Sequence, residues 1–239
     1  MKKLLIILST FIVLFISVPN ESHTVQNKFS VKQLNFDNLG IDGKINVIEI
    51  FKDAISYEVT NKNHREYDFY VNANYFTIEN IPVGEVVIDG KVVRRNNKNG
   101  GYFTTDGKSP KFYYNRRPSG VMFSSQTHTP IIMDGNPNTR IFNKSWARIK
   151  LPRLVIGKKS NGNIVVIHTI GETRCSVSDF YNISKSLQLN DALMLDGGAS
   201  IEVGLVYKNF NYKYQIVSDI ERKIGKVPTP SVFIVGNFN

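Results

Sequence analysis

The chain has a single cysteine, Cys175, among 239 residues. That excludes an internal disulfide and any metal site built on two or more thiolates. Acidic residues are scarce: 20 Asp and Glu against 30 Lys and Arg leave a formal charge of +10. The histidines, His23, His64, His128 and His168, lack metal-ligand spacing, so neither a metal nor a cofactor is expected, although a cation beside Asp196 stays open. No Gly-x-Ser-x-Gly elbow occurs, and no cysteine-protease signature surrounds Cys175. The basic residues form only small clusters, at Arg94-Arg95, Arg116-Arg117 and Lys158-Lys159, without a helix-turn-helix, zinc-finger or RRM pattern. No nucleic-acid partner is therefore expected. The positive excess suits either an anionic, phosphate-bearing or glycan ligand or a plain solvated surface.

No long hydrophobic run is present beyond residues 4–18, which fall short of the roughly 20 apolar residues a membrane span needs. Lys2 and Lys3 precede that run and polar residues 20–24 follow it. The pattern is that of a signal peptide, with an uncleaved anchor as the alternative. Export to the periplasm, cell envelope or exterior is the expected localisation, and membrane contact is expected only through that segment. The expected organisation is residues 1–22 as signal or anchor, 23–67 as N-terminal strands, and 68–239 as the core. A hydrophobic content of 41% supports a folded core without covalent staples.

Beyond residue 22 the chain reads mainly as strands. Residues 45–51, 55–59, 68–71, 86–93, 154–156, 164–167, 192–195, 201–207 and 232–235 carry the β-branched and aromatic content of strands. Asp89-Gly90, Asp134-Gly135 and Asn161-Gly162 are hairpin turns by composition. One helix is expected: Ser176 and Asp179 have capping-box spacing, Val177, Phe180, Tyr181 and Leu187 follow at near-helical intervals, and the helix should end near Asn190. The expected fold class is α+β, a single strand-rich domain with a mixed twisted sheet and a few packed helices.

Asp196 follows a buried strand and precedes Gly197 and Gly198. The glycines allow backbone angles closed to other residues and let a ligand approach the main chain. A carboxylate there points out of the core yet is held by it, which suits a catalytic acid, base or electrostatic stabiliser as well as an ordinary turn. His168 ends an apolar strand, either as a proton-transfer group or as a satisfied core histidine. The aromatic pairs Tyr102-Phe103 and Tyr113-Tyr114 suit either a sugar-stacking surface or core packing.

The stretch Asp191-Ala192-Leu193-Met194-Leu195-Asp196-Gly197-Gly198-Ala199-Ser200 resembles the signature of the phosphodiester glycosidase family. Further segments are similar and in the family's order: residues 71–76 (Val-Asn-Ala-Asn-Tyr-Phe), Pro82-Val83-Gly84, Ile88-Asp89-Gly90-Lys91, residues 153–157 (Arg-Leu-Val-Ile-Gly), the Asn-Gly hairpin and residues 168–171. The resemblance covers residues 68–235. The chain departs from the family at Asn74, where a glycine is replaced by a residue that tolerates the left-handed region. It also departs at Ile170, at Ala199, and around Thr127, where Gln126 is off register by one.

The resemblance implies hydrolysis of a sugar-1-phosphodiester at the glycosidic bond, giving free sugar and a phosphomonoester. On that reading Asp196, Arg153 and His168 are the catalytic residues, Arg153 either gripping phosphate through a bidentate fork or simply pairing with a carboxylate at a strand start. Asn72, Asn74, Gly197, Gly198 and Ser200 are the implied substrate-binding residues, and a sugar phosphate or anionic glycan the partner. The alternatives are a non-catalytic, envelope-associated glycan-binding protein on the same fold, which Ile170 and Ala199 favour, and a phosphoesterase cutting the phosphorus–oxygen bond.

Overall fold

A computed structural model describes residues 22–77, 79–96, 99–127, 129–217 and 230–239. The expected signal segment, apart from Ser22, and His128 lie outside these residues. Among the described residues no helix is long and apolar enough to cross a membrane.

Strands dominate, at 49% of residues against 13% helix, so the expected α+β balance holds only roughly and the fold is mostly β. The largest sheet has eight strands in the order β1 (His23–Val25), β2 (Phe29–Phe36), β3 (Ile41–Ile50), β14 (Ile164–Thr169), β13 (Leu154–Lys159), β15 (Leu189–Met194), β11 (Thr129–Met133) and β12 (Asn136–Pro137). A second sheet runs β7 (Lys91–Arg94), β6 (Val86–Ile88), β10 (Phe123–Thr127), β8 (Gly101–Thr105) and β9 (Lys111–Tyr114). The third runs β17 (Phe210–Gln215), β16 (Glu202–Tyr207), β5 (Phe69–Asn72), β18 (Phe233–Phe238) and β4 (Ile55–Thr60).

The expected mixed sheet is corrected on this point. Every pair among the described strands is antiparallel, from the long β2–β3 ladder to β18–β5. For strands that follow one another in sequence the physical reason is the connections. Asp89-Gly90, Asp134-Gly135 and Asn161-Gly162 close hairpins, with positive φ at Asp89 (51°), Gly90 (72°), Asp134 (48°), Gly135 (77°) and Gly162 (93°). Such short turns join only antiparallel neighbours.

The period-two alternation of strands distributes the large sheet's side chains between two cores. Ile48, Ile50, Leu154, Ile156, Ile164, Val166 and Leu193 face the two smaller sheets. Ile45, Val47, Val155, Val165, Ile167, Ala192 and Met194 face the helices α1 (Thr139–Phe142), α2 (Ser145–Arg148) and α3 (Val177–Ser186). Only α3 is longer than four residues, and the Ser176–Asp179 capping box starts it: Asp179 N–H donates to Ser176 Oγ at 3.1 Å and Ser176 N–H to Asp179 Oδ2 at 2.7 Å. Such a cap contributes about 1 kcal/mol. The helix ends at Ser186, short of Asn190, because Gln188 turns left-handed (φ 60°) and Leu189 already pairs with Lys159 in the sheet.

Candidate functional site

Strand β15 delivers Asp196 to the seam between the large sheet and the third sheet. Leu195 N–H still donates to Leu154 on β13 at 2.9 Å, whereas Asp196 N–H donates to Ala73, just past β5, at 3.1 Å. Gly197 follows where a Cβ would lie 2.7 Å from the Pro152 carbonyl, so a side chain would force the two segments apart. Gly198 takes φ 61°, open to glycine at little cost, and its N–H donates to that Pro152 carbonyl at 2.9 Å. Asn72, fully buried at the end of β5, locks the turn. Its Nδ2 donates to the Asp196 carbonyl at 2.8 Å and its Oδ1 accepts from Glu202 N–H at 2.9 Å.

The backbone is thus fixed, and Asp196 as a whole is half-buried. Burial raises its pKa to about 7, with the Ser200 hydroxyl and the Gly197 N–H pulling the other way by hydrogen-bonding the charged form. Near neutrality this group passes readily between its two protonation states.

Tyr75, three residues beyond Asn72, sits in the field of both Asp196 and Arg153. Burial first, and the Asp196 charge second, push its hydroxyl up to about 12, while Arg153 opposes them. The hydroxyl is therefore a neutral hydrogen-bond donor at working pH. Tyr75 belongs to the family-like segment at residues 71–76, but only the asparagines of that segment were expected to act. Its position three residues past the buried end of β5 was the available signal.

Arg153 is 7% exposed, and no carboxylate pairs with it among the described residues. Its Nε donates to Cys175 carbonyl at 3.1 Å and its Nη2 to Ile149 carbonyl at 2.7 Å. Burial lowers the guanidinium pKa, with the nearby Tyr75 acting in the opposite direction. Two of the three nitrogens are committed to the main chain. The expected bidentate phosphate fork keeps its donors, since both N–H groups of Nη1 and the second of Nη2 are uncommitted among the described residues.

The other expected residues fall into place as scaffold. His168 is fully buried on the face of β14 that meets the third sheet. Its Nδ1 donates to the Thr169 carbonyl at 3.0 Å, and its Nε2 accepts from the Tyr212 hydroxyl at 2.6 Å, which in turn accepts from Asn46 Nδ2 at 2.5 Å. Burial drives its pKa down to about 4, so the ring is neutral. This is the arrangement of a satisfied core histidine. Asn74 is absent from the residues with positive φ, so backbone freedom does not explain it. Instead its buried side chain donates to the Gln126 carbonyl at 2.8 Å and accepts from Ser125 Oγ. Gly84 packs there, with space for no Cβ against the same Gln126 carbonyl, 2.3 Å away.

The Gly197 and Gly198 amides are both engaged within the protein, by the Asp196 carboxyl and by Pro152. Ser200 orients Asp196. Of the aromatic pairs, Tyr102 and Phe103 are buried and Tyr114 donates to Asp191 Oδ1 at 2.6 Å, all core arrangements. Glu172, beside the departure at Ile170, points into solvent and pairs with Arg174 at 3.4 Å. A groove of about 540 Å³ lined by Lys62, His64, Arg94 and Phe233 lies elsewhere, and Asp196 is not among its walls.

Comparison with known proteins agrees with the geometry. Residues 65–229 match the family model described as phosphodiester glycosidase. Comparison of the sequence with curated proteins finds no match. Among solved structures, the catalytic domain of zebrafish N-acetylglucosamine-1-phosphodiester alpha-N-acetylglucosaminidase, auto-inhibited by its pro-peptide, is similar with a TM-score of 0.63 at 13% identity, over 92% of this chain and 83% of that one. A hypothetical protein from Synechocystis gives 0.58 at 13% identity, over 88% and 62%. A Burkholderia pseudomallei protein described as exported gives 0.54 at 11%, over 81% and 74%. At these identities the solved structures speak for the fold alone.

Proposed function

The chain belongs to the phosphodiester glycosidase family, and from that premise we propose that it hydrolyses the glycosidic bond of a sugar-1-phosphodiester outside the cytoplasm. The observation that carries the reading is the Asp196 carboxyl, held on a hydrogen-bonded turn with its pKa raised to about 7, and Tyr75, whose hydroxyl lies in the fields of both Asp196 and Arg153.

The reaction asks little of a general acid. The carbon–oxygen bond at the anomeric carbon breaks, its electron pair leaves on a phosphate oxygen, and a phosphomonoester is a weak base. Positive charge and a hydrogen-bond donor beside that oxygen stabilise the transition state more than a proton would. Arg153 supplies the charge and the uncommitted N–H groups of its Nη1–Nη2 edge, and the neutral Tyr75 hydroxyl supplies a further donor. The ionised Asp196 carboxylate stabilises the oxocarbenium-like sugar and accepts the proton of the water that adds to the anomeric carbon. One carboxylate is sufficient here because the leaving group does the work that a second, protonated carboxyl performs in ordinary glycosidases. His168 takes no part in this scheme, and Asn72, Asn74, Gly197, Gly198 and Ser200 act by holding the site in place.

The partner is then a sugar phosphate or an anionic glycan carrying the phosphodiester. The test is release of free sugar from a panel of sugar-1-phosphodiesters, beginning with esters of α-N-acetylglucosamine-1-phosphate. Turnover that disappears in both Asp196→Asn and Tyr75→Phe supports the assignment. Glycan binding without turnover of any member contradicts it and returns the non-catalytic reading.

A further inference from the structure

Between Asp134 and Glu172 the sequence has no acidic residue, and the segment containing α1 and α2 lies there. Three large apolar side chains are exposed within six positions: Trp146 at 42%, Ile149 at 53% and Leu151 at 43%. Interleaved with them are Lys144, Arg148 and Lys150, all exposed, with Arg140 one turn upstream. None of these four cations has a carboxylate partner among the described residues. Ala147 is buried and anchors the short helix to the core beside α3.

We propose that this strip docks the protein on an anionic lipid surface. Isolated apolar residues on a surface are ordinary, but a contiguous set holding the chain's one tryptophan is not. The combination of an indole and two aliphatic side chains with surrounding Lys and Arg is that of an interfacial segment. The rings and chains enter the headgroup–acyl boundary and the cations stay among lipid phosphates. A soluble polyanion would reward the cations and leave the three apolar side chains in water, so lipid fits the strip better. This membrane contact is separate from the N-terminal apolar segment.

The strip is also rigidly tied to the candidate site. The Ile149 carbonyl accepts from Arg153 Nη2 at 2.7 Å, and Leu151 exchanges both backbone hydrogen bonds with Cys175, at 3.1 and 2.9 Å. Docking therefore sets Arg153 beside the headgroup layer, where a membrane-linked phosphodiester would be presented. The docking itself does not depend on the reading of Asp196.

Trp146 is the only tryptophan, so the intrinsic emission of the whole chain reports on the strip. Vesicles of phosphatidylcholine containing phosphatidylglycerol should shift that emission to shorter wavelength. Brominated acyl chains should quench it, and salt should reverse the shift. Arg148→Gln/Lys150→Gln should weaken vesicle partitioning roughly 25-fold, about fivefold per charge removed, with its emission in the absence of vesicles unchanged. Three results overturn the proposal. One is sedimentation with vesicles while Trp146 emission stays put, which assigns membrane contact to the N-terminal segment alone. Another is an equal shift on pure phosphatidylcholine. The third is a shift with soluble polyphosphate that lipid-borne bromine does not quench.

Discussion

The Asn72 side chain holds the Asp196 carbonyl at 2.8 Å and, through its other amide atom, the Glu202 N–H at 2.9 Å, so one buried residue ties the candidate catalytic turn to β16. Removing it leaves a part-buried carbonyl and a buried N–H without partners. Asn72→Ala should therefore cost about 2–4 kcal/mol in denaturant unfolding. Because the turn would also shift, kcat should fall on the order of 100-fold with little change in KM. A lost KM with kcat intact would mean that Asn72 contacts substrate instead.

The raised pKa of Asp196 sets the pH dependence. If the carboxylate acts ionised, kcat/KM should be low at pH 5.5, climb through about 7 and level off above pH 8. The stability effect has the opposite sign. A folded pKa of about 7 against an unfolded value near 3.8 means that stability is full below pH 4 and falls as pH rises through 7. Asp196→Asn should thus melt higher than the wild type at pH 8, by about 1–3 kcal/mol after allowing for partial exposure, and match it at pH 4. The gain in stability and the loss of turnover belong to the same carboxyl.

His168 should control acid stability. Its pKa falls from 6.5 to about 4 on folding, so the unfolded chain binds the proton first. Its contribution is whole above pH 6.5 and is lost progressively down to pH 4, amounting to about 3 kcal/mol. Thermal melts of His168→Gln across that range should lack this slope. At pH 7.5 its kcat should stay within a few-fold of the wild type, whereas a collapse of kcat in a variant that still folds would restore His168 to the chemistry.

Arg153→Lys keeps the charge and loses the geometry. A lysine has no fixed fork to span the Cys175 and Ile149 carbonyls, so at least one of them would lose its donor. The variant should lose about 1–3 kcal/mol of stability and at least tenfold in kcat/KM. Wild-type kinetics in Arg153→Lys would show that neither the fork nor the position of the charge matters.

The elements most legible in the sequence were those fixed by local chemistry. Asp89-Gly90 and Asp134-Gly135 specify their hairpins because both residues accept positive φ, and Ser176 with Asp179 specifies the start of α3. Family-like segments identified the Asp196 turn. What escaped was long-range. Nothing near Arg153 in sequence shows that the carbonyl of Cys175, 22 residues away, will occupy its Nε. Nor does the sequence around His168 reveal that Tyr212 and Asn46 will close over the ring from other strands. The antiparallel character of all three sheets, and the commitment of Asn72, Asn74 and the glycine amides to internal bonds, are likewise properties of the assembled seam. Tyr75 was visible as a residue, but its exposure to the charges of both Asp196 and Arg153 emerges only when β5, β13 and β15 meet.

Hydrolysis of a sugar-1-phosphodiester substrate in ¹⁸O-labelled water reports which bond breaks. Label is expected in the released sugar and none in the phosphomonoester, with both products absent for Asp196→Asn. Label in the phosphate, or unchanged turnover by Asp196→Asn, would contradict the assignment.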